Sequence, residues 1–97
     1  MKIVYTDHLK NRLKQREIPL KIIRQVFTQA KEYYFDNLRN HHITVTKVLY
    51  KEKVRKVLVA YDTMINAIEA ITIHPITDEQ IEQRLNSGRW KHEEKQS

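Results

Sequence analysis

The chain of 97 residues contains no cysteine, one glycine and two prolines. The absence of cysteine excludes disulfides, thiolate metal sites, iron–sulfur clusters and a cysteine nucleophile. Because Gly88 is the sole glycine, the sequence also lacks every glycine-rich loop that wraps the phosphates of a nucleotide. Any binding of phosphate must therefore rely on side chains and on the N-termini of helices.

Long apolar runs are also absent, and this limits the class of protein. No stretch approaches the roughly 20 apolar residues that a membrane-spanning helix needs, and Met1–Tyr5 is too short for a signal-peptide core. A length of 97 residues suits one domain with one modest hydrophobic core. We therefore expect a cytoplasmic protein with a single domain over residues 1–90, followed by a polar tail over residues 91–97.

Positive charge dominates, with 18 Lys and Arg against 12 Asp and Glu, a formal net charge of +6. Most of it falls in the first quarter, because residues 1–24 hold seven basic and two acidic residues, a net charge of +5. Residues 77–97 are slightly acidic instead, with a net charge of −1. This asymmetry indicates either a polyanionic partner such as nucleic acid or a solvated helix surface that only aids solubility.

The pattern of apolar residues predicts an α+β fold. Ile3–Tyr5 is predicted to form a short strand and Asp7–Glu17 a first helix, and Pro19 is predicted to open a second helix. Thr77 begins a capping-box pattern that predicts a third helix over Asp78–Asn86. Between the second and third helices, β-branched and aromatic residues predict an antiparallel meander of three or four strands. We expect the helices to be grouped against one face of this sheet. The predicted strands of the meander are Tyr33–Phe35, His42–Tyr50, Val54–Asp62 and a strand from Asn66 or Ala67 to His74.

Three segments resemble a family of small prokaryotic and phage proteins that is similar to the RelE/ParE and BrnT toxins. They are DHLKNRLKQREI at residues 7–18, IHPI at residues 73–76 and SGRW at residues 87–90. The resemblance spans residues 3–90 and implies the RelE-like fold, in which two N-terminal helices pack on a curved antiparallel sheet of about four strands with a C-terminal helix. It further implies a toxin-like ribonuclease of a toxin–antitoxin system that acts without a metal, although ParE-like relatives act on DNA gyrase instead.

Cleavage of RNA without a metal needs a base for the 2′-OH, an acid for the leaving 5′ oxygen and cations for the charged phosphorane. His8, Arg12 and Arg16 lie four residues apart and therefore share one face of the first helix. Histidine titrates near neutral pH and arginine clamps phosphate oxygens, so His8 is a candidate base and the two arginines are candidate clamps. His74, at the end of the last strand of the meander, is the second candidate titratable group.

Further basic residues are candidates for binding the nucleic-acid backbone: Lys10, Lys14, Arg24 and Arg55. Each also has a plainer interpretation, as part of a solvated helix face or as strand charge that prevents aggregation. No metal or other cofactor is predicted, because cysteine is absent and no two histidines are spaced i, i+4. The adjacent His41 and His42 would point to opposite faces of a strand and make a poor chelate.

Three hypotheses about function follow. The first is an endoribonuclease toxin that acts on RNA, free or bound to the ribosome, and is covered by an acidic antitoxin protein. The second is a non-catalytic module on the same fold that binds nucleic acid or a protein such as gyrase. The third is a structural or assembly protein whose basic helix only aids solubility. Neither a membrane partner nor a cofactor is expected, and a homodimer is left open.

Overall fold

The computed structural model describes residues 2–94 and shows an α+β protein with three helices and six strands in that range. The predicted fold class is therefore confirmed, whereas the sheet is larger than the predicted one of about four strands. Within the described range, no helix is both long and apolar enough to cross a membrane. In chain order the elements are β1 (Lys2–Tyr5), α1 (Asp7–Gln15), α2 (Lys21–Gln29), β2 (Glu32–Asp36), β3 (His41–Tyr50), β4 (Lys53–Met64), β5 (Ala67–Pro75), α3 (Asp78–Asn86) and β6 (Trp90–His92).

The strands form one mixed sheet in the order β1-β5-β4-β3-β2-β6. Strands β2 to β5 are the predicted antiparallel meander, and β1 pairs in parallel with β5 at one edge. At the other edge β6 pairs antiparallel with β2, so that Trp90 lies opposite Asp36. Residues 91 and 92 of the predicted polar tail therefore belong to the sheet, and residues 95–97 lie outside the described part of the chain.

Both faces of the sheet are covered, and each face has its own hydrophobic core. Along β4, Val57 and Val59 belong to the core that includes α1 and α2, whereas Leu58 and Ala60 belong to the core that includes Ile81 of α3. The prediction that all helices are grouped against one face is therefore wrong for α3. The cause is this run of four buried residues, which puts apolar side chains on both faces of a central strand and requires a layer on each.

A side-chain cap fixes the start of α1 at the edge of the sheet. The Thr6 hydroxyl oxygen accepts a hydrogen bond from the backbone N–H of Leu9 at 3.1 Å. The same hydroxyl donates to the carbonyl oxygen of Ile71 in β5 at 3.2 Å. The cap therefore ties the first turn of α1 to the strand that carries His74.

The corner between α1 and α2 lies slightly away from its predicted position. α1 ends at Gln15, because Glu17, its predicted last residue, has a φ of 54° in the left-handed region. α2 begins at Lys21, after a tight turn in which the Pro19 carbonyl accepts from the backbone N–H of Ile22 at 3.0 Å. Pro19 therefore precedes the second helix rather than opening it.

α3 has the predicted bounds and the predicted capping box. The Thr77 hydroxyl accepts from the backbone N–H of Gln80 at 3.1 Å, and the Gln80 side chain accepts from the backbone N–H of Thr77 at 3.0 Å. After the helix, Gly88 adopts a φ of 80°, which glycine reaches without strain. This turn returns the chain to the edge of the sheet as β6.

Candidate active site

A concave pocket lies on the face of the sheet that carries α3. Its volume is about 430 Å³, and its floor consists of apolar side chains from three neighbouring strands, Ile43, Leu58, Ala60 and Ile71. Apart from the carboxylate of Asp36, the charged or titratable side chains come from α1, from α3, from strands β3 and β5 and from the segments next to β2 and β6. They are Arg12, Arg39, Arg84, Arg89, His8, His41 and His74. An apolar floor with convergent polar groups is the usual character of a ligand site.

The charge of this pocket is strongly positive. Its lining includes four arginines, three histidines and, among the residues that the structure describes, one carboxylate, that of Asp36. Even with every histidine neutral, four guanidinium groups against one carboxylate leave a net charge of +3. Such a concentration of like charge in a cleft with an apolar floor favours an anionic ligand, because the low-dielectric floor focuses the field.

His74 sits at the end of β5 with a defined tautomer. Its Nδ1 lies 2.9 Å from the carbonyl oxygen of Pro75, and since a carbonyl only accepts, Nδ1 carries the proton. Burial lowers the pKa of His74 by more than the hydrogen bond to Pro75 raises it. Positive charge lowers this pKa further, from the neighbouring Arg84, Arg16 and Arg12. The ring therefore favours its neutral form, in which Nε2 can accept a proton.

α1 brings His8 and Arg12 into the same pocket as His74. Leu9 and Leu13 are buried in the core that α1 shares with α2, on the face of the sheet opposite the pocket. The adjacent side of α1, which carries His8 and Arg12, borders the pocket at the edge of the sheet. Within residues 2–94 the His8 ring has no hydrogen-bond partner, and the Arg12 guanidinium has no ion pair. Both groups are thus available to a ligand.

Arg16, the third member of the predicted stripe, does not line the pocket. It is half-buried, and its Nε is buried without a hydrogen-bond partner among the described residues. Its positive charge is one of those that lower the pKa of His74. Arg16 therefore influences His74 through its charge and does not itself border the space that a ligand would fill.

Arg84 and Arg89 form the wall of the pocket that comes from α3 and from the turn before β6. Arg84 lies over the Trp90 ring at 4.9 Å from its centroid, and Tyr34 stacks on the same ring with centroids 5.1 Å apart. Burial lowers the pKa of Arg84, and the positive charge of Arg89 lowers it further. Two neighbouring cations are therefore held at this wall, one of them by stacking on an aromatic ring.

Asp36 is almost fully buried and organises the same end of the pocket. Its carboxylate accepts two hydrogen bonds from Arg89, at 3.2 Å from Nε and 3.0 Å from Nη2. It also accepts from the backbone N–H groups of Leu38 at 3.0 Å and Arg39 at 3.2 Å, which fixes the turn before β3. Burial raises the pKa of Asp36, but these hydrogen bonds and the charge of Arg89 together lower it by more.

The third histidine of the pocket, His41, is oriented by a carboxylate. Its Nδ1 lies 2.9 Å from Oδ1 of Asp62 on β4, so Nδ1 donates to Asp62 and Nε2 is left for other partners. His42 points to the opposite face, where its Nδ1 lies 2.9 Å from Glu93 and its ring stacks on Tyr61. Over residues 2–94 there is no cluster of three His, Cys, Asp or Glu side chains that could hold a metal ion.

The four residues predicted to bind the nucleic-acid backbone do not line this pocket. Lys10 and Lys14 are exposed on α1, and Arg24 is exposed on α2. Arg55 lies on β4, where its Nε donates to the Tyr50 carbonyl oxygen at 3.2 Å and its guanidinium covers the Tyr50 ring. These four side chains therefore do not border the space that a ligand in the pocket would fill.

Sequence reasoning missed several residues that the pocket contains. Arg39 falls in a predicted turn. Arg84 and Arg89 fall in the last quarter of the chain, whose net charge of −1 gives no indication of a cationic site. His41 entered the sequence argument only as a poor metal ligand. For Arg89 one signal exists, because it belongs to the SGRW segment that carries part of the family resemblance.

No family model, no curated protein and no solved structure gives a significant match to this chain. The fold and the pocket together define a class of site: a cationic cleft with an apolar floor, in which histidines with free ring nitrogens stand beside arginines. Guanidinium groups in such a site can pair with the oxygens of an anion such as a carboxylate or a phosphate.

Proposed function

We propose that the protein is a metal-independent endoribonuclease of the toxin type. The observation that best supports this function is the presence of His8 and His74 in one cationic pocket, with Arg12 and Arg84 beside them. The anionic oxygens of an RNA phosphodiester complement the guanidinium groups. The 2′-OH next to that phosphate supplies the proton that a pair of histidines would move.

The proposed reaction begins when Nε2 of neutral His74 accepts the proton of the 2′-OH. The 2′ oxygen attacks the adjacent phosphorus, and the bond between phosphorus and the 5′ oxygen breaks. The protonated ring of His8 gives its proton to that 5′ oxygen, so the products are a 2′,3′-cyclic phosphate and a 5′-OH. Arg12 and Arg84 hold the non-bridging oxygens, whose negative charge grows in the transition state.

The roles of the two histidines in this proposal differ from the roles expected from the sequence. The sequence alone makes His8 a candidate base, because it shares one helical face with Arg12 and Arg16. Burial and three nearby arginines lower the pKa of His74, which favours the neutral ring that a base requires. His8 is exposed and can exchange its proton with water after each turnover.

The proposal includes the setting that the family resemblance implies. It comprises a RelE-like layout, cytoplasmic mRNA as the substrate, free or on the ribosome, and an acidic antitoxin as the partner. The RelE-like layout is supported by α1 and α2 on one face of an antiparallel meander, here extended by β1 and β6. The excess of cations in the pocket supports an acidic partner segment that covers it.

The test is cleavage of RNA by the purified chain in the presence of EDTA, with analysis of the new ends. The wild type is expected to release fragments that end in a 2′,3′-cyclic phosphate. His8→Ala is expected to abolish them with little change in Tm, because His8 is exposed. RNA that is bound but never cleaved, either naked or on translating ribosomes, would instead favour the non-catalytic binding module.

A further inference from the structure

One end of the pocket has features that the proposed reaction does not use. Arg39 and Arg89 line this end together with His41. Arg89 is held by Asp36, and the same carboxylate fixes the turn that carries Arg39 through a backbone hydrogen bond of 3.2 Å. One buried carboxylate therefore positions two positive charges, of which it can neutralise only one.

This end is well separated from His74 along the sheet. On β4 the residue opposite His74 is Leu58, whereas the residue that contacts His41 is Asp62. The four steps from Leu58 to Asp62 cover about 13 Å, at about 3.3 Å for each residue of a strand. Hydrogen bonds to a phosphate oxygen span only about 3 Å. The backbone positions that carry His74 and His41 are therefore well apart, which leaves room for more than one phosphate along the pocket.

The floor between the two ends is apolar, with Ile43, Ala60 and Ile71, whereas Arg84 on the wall lies near both His74 and Arg89. A nucleotide strand has the same alternation, because a sugar and a base separate each phosphate from the next. At the far end, the Arg39 side chain has no ion pair or hydrogen bond within residues 2–94, so its charge is uncompensated there. The pocket thus offers a cationic position at each end, above a floor that is apolar.

We propose that Arg39 and Arg89 form a second phosphate subsite, which holds a phosphate adjacent to the scissile one on a single RNA strand. This inference rests on the proposed ribonuclease function and specifies its substrate. The substrate is a single-stranded oligonucleotide with at least two consecutive phosphates, rather than a mononucleotide. The phosphate at the second subsite aligns the strand and remains intact.

Binding of 2′-deoxy ligands tests this subsite without turnover, because they lack the attacking hydroxyl. A dinucleoside monophosphate is compared by calorimetry with the same ligand carrying one more phosphate, at the 5′ end or at the 3′ end. One of the two additions is expected to raise the affinity of the wild type roughly tenfold, the usual scale of a charge-assisted contact.

Arg39→Gln is expected to remove this gain and still fold, because Arg39 is exposed and its side chain has no hydrogen bond among the described residues. Lys21→Gln removes the same charge from an exposed position on α2 and is expected to keep the gain. The inference is overturned if neither added phosphate improves binding to the wild type, or if Arg39→Gln retains the improvement.

The subsite and the ribonuclease activity fail independently. A protein that shows the gain dependent on Arg39 but leaves RNA intact keeps the subsite and loses the proposed activity. A protein that cleaves RNA but shows no gain keeps the activity and loses the subsite. Measurement of binding and cleavage on the same preparations therefore decides both.

Discussion

Arg89 donates two hydrogen bonds to Asp36, from Nε at 3.2 Å and from Nη2 at 3.0 Å. Asp36 is the last residue of β2 and Arg89 immediately precedes β6, so this ion pair joins the two strands where they border the pocket. The Asp36 side chain is only 4% exposed, so water cannot replace a lost partner. The pair therefore couples the stability of the sheet edge to the position of the pocket cations.

Asp36→Asn is expected to lower the free energy of unfolding at neutral pH by about 2 kcal/mol. The amide has the shape of the carboxylate but lacks the charge that Arg89 faces, and its NH2 group meets N–H donors. Chemical denaturation measures the loss. Asp62→Asn is the control and is expected to cost less than about 1 kcal/mol, because Asp62 is partly exposed and surface ion pairs contribute little.

The loss in Asp36→Asn is also expected to depend on pH. The pKa of Asp36 is lowered in the folded protein, so its charge stabilises the fold above the unfolded-state pKa of about 4. This stabilisation is lost as the pH falls through the folded pKa, because the carboxylate then becomes neutral like the amide. The unfolding curves of the two proteins should converge at low pH, and a gap of constant size down to pH of about 2 would refute this account.

His74→Gln is expected to reduce the rate of RNA cleavage by at least about 100-fold, the usual contribution of a general base. The loss should appear in kcat, because the base acts in the transition state rather than in binding. His92→Gln is the matched control, since His92 is exposed on β6 and does not line the pocket. Equal losses in the two variants, or a loss of Tm that accounts for the rate, would remove His74 from the mechanism.

Local sequence signals predicted most of the secondary structure, but tertiary contacts decided the layout. The capping box at Thr77 and Gln80 predicted the start of α3 correctly, because both of its hydrogen bonds are made within one turn of the helix. Its place on the second face depends instead on Ile81 meeting side chains from β3 and β4. β6 comprises only Trp90–His92, which is too short to show a period of two.

The residue types of the candidate site could be predicted from the sequence, but which of these residues meet in the folded chain could not. His8, Arg12 and His74 follow from their chemistry, yet their meeting depends on the hydrogen bond between Thr6 and β5, which joins distant parts of the chain. Arg84 was missed because the net charge of residues 77–97 is a sum over side chains that point in different directions. The acidic residues of α3 are exposed, whereas Arg84 is drawn to the pocket by its contact with an aromatic ring.

The acid limb of the pH profile of kcat/KM is expected to lie below pH 6.5, the usual value for a histidine. Burial lowers the pKa of His74, so the ring remains neutral and able to accept a proton at a lower pH than a free histidine. Cleavage is lost only as the pH falls through this lowered value. Initial rates on a short oligonucleotide with two consecutive phosphates, at constant ionic strength, measure the limb.

Arg16→Gln is expected to move this limb to higher pH. The variant removes a positive charge that lowers the pKa of His74, without removing a residue that lines the pocket. Lys21→Gln removes the same charge at a remote exposed site and should leave the limb in place. An NMR titration of the His74 ring gives the same midpoint without turnover. A limb that stays fixed or moves to lower pH in Arg16→Gln would exclude His74 as the base.

The salt dependence of binding distinguishes a phosphate-binding pocket from a surface that is merely basic. For a single strand, the logarithm of the binding constant falls by about 0.7 per phosphate contact for each unit of log salt concentration. Arg84→Gln is expected to make this slope shallower by about 0.7, whereas Lys21→Gln should leave it unchanged. Fluorescence anisotropy with a 2′-deoxy tetranucleotide, between about 50 and 200 mM salt, measures both slopes. Equal slopes in both variants would mean that attraction comes from the overall charge of +6 and not from contacts in the pocket.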